Sequence, residues 1–530
     1  TQGITGGLEG VGAGVPGGVL GGVTSRPGAP PPPALPAPPP AAARSKMRIM
    51  SAQNSAPMPS TGGSAEPNDQ PYGDVFFESA GVNPFIDTED DALSTFGLDV
   101  DTGSYSVARR YLTDGHLPPP ASIRVEEFLN SFDYGDRPPQ RGNFSISAEG
   151  GPWPYLRGQR YYGLRFGIHG REVSVAARKP ATLIFTIDTS GSMAQQSRLE
   201  TVKDALEILV EQLGRRDRIG LVTYGSSARV VLEPTGDHSA ILRAIERLRP
   251  EGSTNVEEGL LVAYDLAGRY FREGEINRII LCSDGVANVG GTGHESILQR
   301  IGAAARRGIE LTTVGFGMGN YNDVLMEQLA NKGNGQYAYV DNLREARRIF
   351  EENLTSTLQT IARDAKVQVE FNPRTVASYR LLGYENRDIA DHRFRDDRVD
   401  AGEIGAGHSV IALYEIKLQP RVRPGDEIAT LHLRYKDVDG GDRVIETKKV
   451  VKVADLAGRW SSASESYRLA SLVATFAEVL KRSYWAKEVS PSELARRIET
   501  LSEEMGTAKV NELGDLSRAA ARLIPFEDEE

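Results

Sequence analysis

Cysteine is almost absent: Cys282 is the one thiol in 530 residues, so no disulfide can form within the chain and a disulfide-stapled scaffold is excluded. Lying in an apolar run, that thiol is expected to act as a small core hydrophobe. Histidine is scarce too. The seven imidazoles are scattered without paired spacing, which leaves a zinc site unsupported. No apolar run approaches the ~20 residues that a membrane-spanning helix needs. Basic residues are outnumbered, 61 against 72 acidic, for a net charge of -11, and no extended basic block occurs. Binding nucleic acid by neutralising its backbone therefore has little support.

The first residue is Thr1 rather than Met, so a processed or truncated product is expected. A signal peptide, lipid anchor or membrane helix upstream stays open, and with it a bacterial cell-envelope or secreted location. Residues 1–70 are rich in Gly, then in Pro and Ala from Pro30 to Pro40, and cannot bury enough apolar surface to offset their ordering entropy. Disorder is expected there, with the proline block acting as a semi-rigid spacer. A bare linker is the plainer reading; a docking segment for a proline-binding or envelope partner is the alternative.

What is present centres on Ile187-Asp188-Thr189-Ser190-Gly191-Ser192-Met193, which follows the apolar run Ala181 to Ile187 and precedes an amphipathic segment. The spacing predicts a turn leaving a buried strand and entering a helix, with Gly191 permitting the backbone to curl. Asp188, Ser190 and Ser192 can then converge on one point. All three offer hard oxygen donors, suited to a magnesium-like cation and poorly suited to zinc or copper. Two further stretches join them. Gly252-Ser253-Thr254-Asn255 opens a helical pattern, and Ile279 to Ser283 is an apolar strand ending in Asp284-Gly285. Asp188, Ser190, Ser192, Thr254 and Asp284 all fall at strand ends or helix starts, which share one edge of an open parallel sheet where ligands bind.

This D-x-S-x-S, distant T, distant D set resembles the metal-ion-dependent adhesion site of von Willebrand factor type A domains. Upstream, Asn83-Pro84-Phe85, Ser94-Thr95-Phe96 and Asp99-Val100-Asp101-Thr102 resemble the N-terminal module of bacterial YfbK-like von Willebrand A proteins, and the likeness runs through to the C-terminus. The resemblance implies a metal site of Asp188, Ser190, Ser192, Thr254 and Asp284. Mg2+ would be the ion, with Mn2+ or Ca2+ as substitutes, and the partner a protein presenting an acidic residue. It implies no oligomeric state. In related domains ligation can couple to a shift of the last helix, which here would be Asn342 to Ile361.

Two rivals belong to other classes. A hydrolase using the same cation to activate water lacks a visible base, His294 being ten residues past Asp284 and better placed to start a helix. In the other, the cation only ties loops together in an envelope scaffold. Asp101-Thr102-Gly103-Ser104 spells a pepsin-like motif, but that chemistry needs a second carboxylate on a similar β half; a helix N-cap at Asp101 or Thr102 is the plainer reading. Candidate selector loops are Gly225 to Ser227, Gly285 to Gly293 and Phe316 to Tyr321.

The expected organisation is a tail over 1–70, an N-terminal module with strands over 71–179, the von Willebrand A domain over 180–362, a β-sandwich region over 363–458 and helices over 459–530. Strands alternate with helices in the central part, predicting a doubly wound, mostly parallel α/β sheet. After Lys366 the pattern turns to alternating strands, as in an antiparallel sandwich. Strand candidates at 144–170 are expected to pair with that later sheet, making the α/β domain an insertion whose ends lie close together. Asp437 to Asp442 is expected to be a hairpin turn rather than a calcium loop.

Overall fold

The computed structural model describes residues 81–525 apart from 99, 156–159, 285–293, 318–322 and 400. The expected disorder of residues 1–70 and the 285–293 selector loop lie outside the described residues, as does most of the third loop.

The central domain is built on a six-stranded sheet in the spatial order Tyr337–Val340, Ile309–Phe316, Ile276–Ser283, Ala181–Asp188, Arg218–Tyr224 and Ala228–Thr235. All pairings are parallel except the last. Ala181–Asp188 is buried along its whole length, which is why it reads as a continuous apolar run instead of an alternating one. Its Leu183, Phe185 and Ile187 pack toward the helix Arg198–Gln212, while Ile184 faces the helix Val256–Arg269 on the other side. From this strand the chain steps one way to Arg218–Tyr224 and later the other way to Ile276–Ser283. The order therefore reverses beside Asp188, leaving a crevice at the carboxyl ends of two neighbouring strands.

The expected insertion is present. Tyr161–Gly170 pairs antiparallel with Ser409–Leu418 and with Phe144–Pro152, in a five-stranded sheet completed by Val376–Leu382 and Ile86–Asp87. Facing it, Gly402–Gly405, Thr360–Phe371, Glu427–Asp437 and Arg443–Lys452 form a second sheet, with Leu93–Gly97 also on Thr360–Phe371. Phe166, Ile168, Val367, Phe371, Tyr414 and Leu431 fill the space between. The two ends of the insertion meet: the Lys179 N–H donates to Gln359 Oε1 at 3.1 Å. Asp437 to Asp442 is the hairpin turn, closed by the Gly440 N–H on the Asp437 carbonyl; Asp437 Oδ1 accepts from the Asn143 amide at 2.9 Å and Lys179 reaches Asp439 at 2.7 Å.

Several expectations need correction. The last helix of the domain is not continuous from Asn342 to Ile361. It is broken into Leu343–Arg347, a π-turn over Arg348–Glu352 and Leu354–Leu358, and Thr360 and Ile361 already belong to a sandwich strand. Thr360 and Ile361 are β-branched and suit the strand that takes over. The Asp101 side chain also reaches the sheet, where Asp101 Oδ1 accepts the Tyr337 N–H at 3.0 Å. Thr102 occupies the N-cap of Gly103–Thr113 without a capping side-chain bond, and Glu127 Oε2 accepts the Ser104 N–H at 2.7 Å instead. Gly103 is required because a Cβ there would run into the Tyr337 ring.

The helix Gly103–Thr113 is shared between two cores. Val107 and Tyr111 pack on the α/β domain, while Tyr105 and Leu112 join the C-terminal helices Glu465–Leu480, Pro491–Met505 and Ala508–Leu523. Arg109, on the same helix, holds Asp341 (2.8 Å) and Glu345 (2.9 Å) of the α/β domain and Glu512 (3.1 Å) of the last helix.

Candidate functional site

The parallel register sets Ile187 beside Cys282, so that Asp188 and Asp284 leave adjacent strands at the switch point. Both are buried, at 0% and 2% exposure. Ser190 donates its N–H to Asp188 Oδ1 at 2.8 Å, and Ser283, one residue before Asp284, donates its hydroxyl to Asp188 Oδ2 at 3.0 Å. The Ser190 and Ser192 hydroxyls lie 2.9 Å apart, and Ser192 donates to Asp284 Oδ1 at 3.1 Å. A continuous chain of polar contacts thus joins Asp188, Ser190, Ser192 and Asp284.

The curl is not made as expected. Gly191 is absent from the left-handed region among the described residues, and a Cβ on it would meet the Gly252 carbonyl at an ordinary 3.7 Å. The turn is a 3-10 segment over Gly191–Ser197, and the left-handed residue is Ser197 at its end (φ 58°). Close approach is needed instead where the turn meets its neighbours, since a Cβ on Gly225 would collide with the Glu251 carbonyl.

The loop that carries Thr254 is tied to the turn through the backbone of its first residues. The Gly191 N–H donates to the Gly252 carbonyl at 3.0 Å, and the Glu251 N–H donates to the Thr189 carbonyl. Asn255 then caps the helix Val256–Arg269 by accepting the Glu258 N–H at 3.2 Å, which holds Thr254 just ahead of the first turn.

Burial raises the Asp188 carboxyl above its usual range, and the neighbouring Asp284 charge raises it further, against the hydrogen bonds from Ser190 and Ser283. Asp284 is raised by burial too, opposed by Arg198, whose guanidinium donates to Asp284 Oδ2 at 2.6 Å. Two carboxylates so placed hold negative charge that a cation would relieve. Among the described residues no group of three His, Cys, Asp or Glu side chains could hold a metal ion, so any ion here would rely on the hydroxyls as well as the two acids. That donor set is all hard oxygen and fits a magnesium-like ion.

Ser283 and Arg198 are contributors that the sequence reading missed. Ser283 was visible as the strand residue in register beside Asp188 once the parallel pairing is known. For Arg198 the one signal is a cation at the first position of a helix, where the macrodipole disfavours it.

Residues 183–286 match the von Willebrand factor type A domain family, 72–161 a family described as von Willebrand factor, and 356–523 the C-terminal region of the YfbK family. The chain is 36% identical over 437 residues to the uncharacterized protein YfbK of Escherichia coli (strain K12), covering 77% of this chain and 74% of that one. An uncharacterized protein of Synechocystis is 27% identical over 286 residues, covering 52% of this chain and 67% of its own. A solved von Willebrand factor type A structure from Catenulispora acidiphila aligns over 69% of this chain and 88% of its own, with a TM-score of 0.41 and 16% identity. The chain belongs to the YfbK family of von Willebrand factor type A domain proteins.

Proposed function

We propose that Asp188, Ser190, Ser192, Thr254 and Asp284 form a divalent-cation site, magnesium for preference and manganese or calcium as substitutes, through which the protein binds a partner protein. The observation that carries this is the buried pair Asp188 and Asp284, both raised above the usual carboxylate range, bridged by the Ser190 and Ser192 hydroxyls at the switch point of the sheet. Asp188, with its second oxygen engaged by Ser283, is oriented to face the turn. Ser190, Ser192 and Thr254 offer neutral oxygens, and Asp284, already tied to Arg198 and Ser192, anchors from further out. When bound, the cation would supply a positive centre at which an acidic side chain of the partner replaces a water.

This is a reading of a binding module and not of an enzyme. A hydrolase would need a base poised over a water, and the two acids are occupied by hydroxyl, backbone and guanidinium donors. A bacterial envelope or secreted location accompanies the reading, with the Gly- and Pro-rich residues 1–70 as a spacer, and fractionation of producing cells checks it.

The test is calorimetric titration of chelator-treated protein with magnesium and with manganese, for wild type and Asp188→Ala. A single saturable site in wild type, lost in a folded Asp188→Ala, is the expected result. Heat that is absent from wild type, both alone and with an acidic peptide present, would remove the cation site.

A further inference from the structure

Arg198 has no part in the donor set, yet it is the one cation in direct contact with it among the described residues. Its guanidinium lies 2.6 Å from Asp284 Oδ2 and 3.4 Å from the Ser192 carbonyl oxygen, and the residue is 4% exposed. It is held there although its place at the helix start disfavours it, with room made for its stem. It opens the helix Arg198–Gln212, where the aligned peptide dipoles disfavour a positive charge. Gly317, with φ of 78°, leaves room for its stem, since a Cβ on Gly317 would come within 2.6 Å of Arg198 Nε and 2.8 Å of Cδ. The other charged side chains bordering this space are engaged elsewhere: Arg110 with Asp114 at 2.9 Å, and Asp341 with Arg109. Glu251, on the loop carrying Thr254, pairs with Arg229 at 2.5 Å.

The consequence is a matter of net charge. Asp188 and Asp284 together carry two negative charges, enough to neutralise a divalent ion completely. A neutral site would have little electrostatic attraction for a further carboxylate. With the Arg198 charge paired to Asp284, one positive charge is left over.

We propose that Arg198 is a positioning residue that holds Asp284 back and cancels its charge, so that the occupied site stays electropositive and selects an anionic ligand at the expense of cation affinity. The inference rests on the cation-site reading above and adds the direction of a trade-off: removing the guanidinium should tighten the ion and weaken the anion. A merely structural role would weaken both.

The experiment uses the full chain, manganese as the ion and acetate as the carboxylate probe. Calorimetry reads the ion, and water-proton relaxation of the manganese-loaded protein reads acetate displacing bound water. For Arg198→Gln we expect manganese to bind about tenfold tighter or more and acetate to bind weaker by a similar factor. Arg198→Lys should stay within about threefold of wild type on both, since it keeps the charge. Combining Arg198→Gln with Asp284→Asn should restore acetate binding by restoring the net charge. Should Arg198→Gln not fold, Asp284→Asn alone reads the same balance from the other side, with the ion weaker and acetate no weaker. Manganese binding that is unchanged or weakened in folded Arg198→Gln, or acetate and ion lost together in Asp284→Asn, overturns the inference and leaves the cation site standing. Wild type with no saturable manganese removes both.

Discussion

Two of the buried clusters of charge among the described residues are opposite in character. Around Arg109, where the helix Gly103–Thr113 meets the α/β domain and the last helix, Arg348 and Lys509 lie close to Glu345, and Glu512 is held by Arg109 and Lys509. There Glu345 is brought down to about 2, burial opposing the shift and Arg348, Lys509 and Arg109 overcoming it, and Glu512 is lowered as well. At the switch point both acids are raised: burial and then the Asp284 charge lift Asp188 against the hydrogen bonds from Ser190 and Ser283, and burial lifts Asp284 against Arg198. Both clusters are out of water. A cluster whose acids sit below their ordinary range has its cations built in and acts as a joint; one whose acids sit above it is short of positive charge and is suited to recruit it.

The comparison breaks most visibly if each cluster is cut. Arg109→Met leaves three acids without their common partner, and unfolding in urea should show a loss of about 3–5 kcal/mol. Asp188→Asn, by contrast, relieves repulsion and keeps an acceptor for Ser190, so in chelator its melting temperature should equal or exceed that of wild type. Magnesium sharpens the same contrast: it should raise the melting temperature of wild type and of any folded Arg109→Met protein, and leave Asp188→Asn unmoved. Failure of Asp188→Asn to hold its stability in chelator would put the two clusters in one class.

Acid is the next probe. Glu345 has its folded value at about 2 against 4.5 when unfolded, so between those values the unfolded chain binds the extra proton. Its contribution is therefore fully present above about pH 4.5 and is lost as pH falls toward about 2. Glu345→Gln should flatten the acid limb of the stability curve measured by chemical denaturation, and an acid limb of unchanged slope would contradict the assignment. The smallest effect belongs to the surface: Asp439→Asn weakens pairs with Lys179 and Arg171, all three side chains being more than a quarter exposed, and should cost less than about 1 kcal/mol in the same measurement.

Much of this fold was legible because its signals are local. The alternation of buried strands with amphipathic helices over 181–340 could be read directly, and so could the turn residues at Asp437 to Asp442. The insertion was legible by elimination, since strands at 144–170 need a partner sheet. What escaped depends on neighbours far along the chain. Ile86–Asp87 and Gly402–Gly405 are too short to carry a period, and the helix break at Arg348–Glu352 follows from where the sandwich takes over the backbone at Thr360. At the site, the candidate donor residues were visible as a spaced set, whereas the pairing of Arg198 with Asp284 joins residues 86 positions apart and is marked locally only by a cation at a helix start.

The meeting of Lys179 with Gln359 bears on mechanics. Tyr161–Gly170 precedes the inserted domain and Ser409–Leu418 follows it, yet nine residue pairs zip these strands side by side. A pull applied to the chain on either side of the insertion enters that ladder at the end where Tyr161 lies beside Lys417, loads it pair by pair as a zipper and bypasses the α/β domain. The candidate binding face hangs in parallel with the load path instead of in series with it, so tension on a tethered molecule would leave the geometry of its grip undistorted until the sandwich itself unzips.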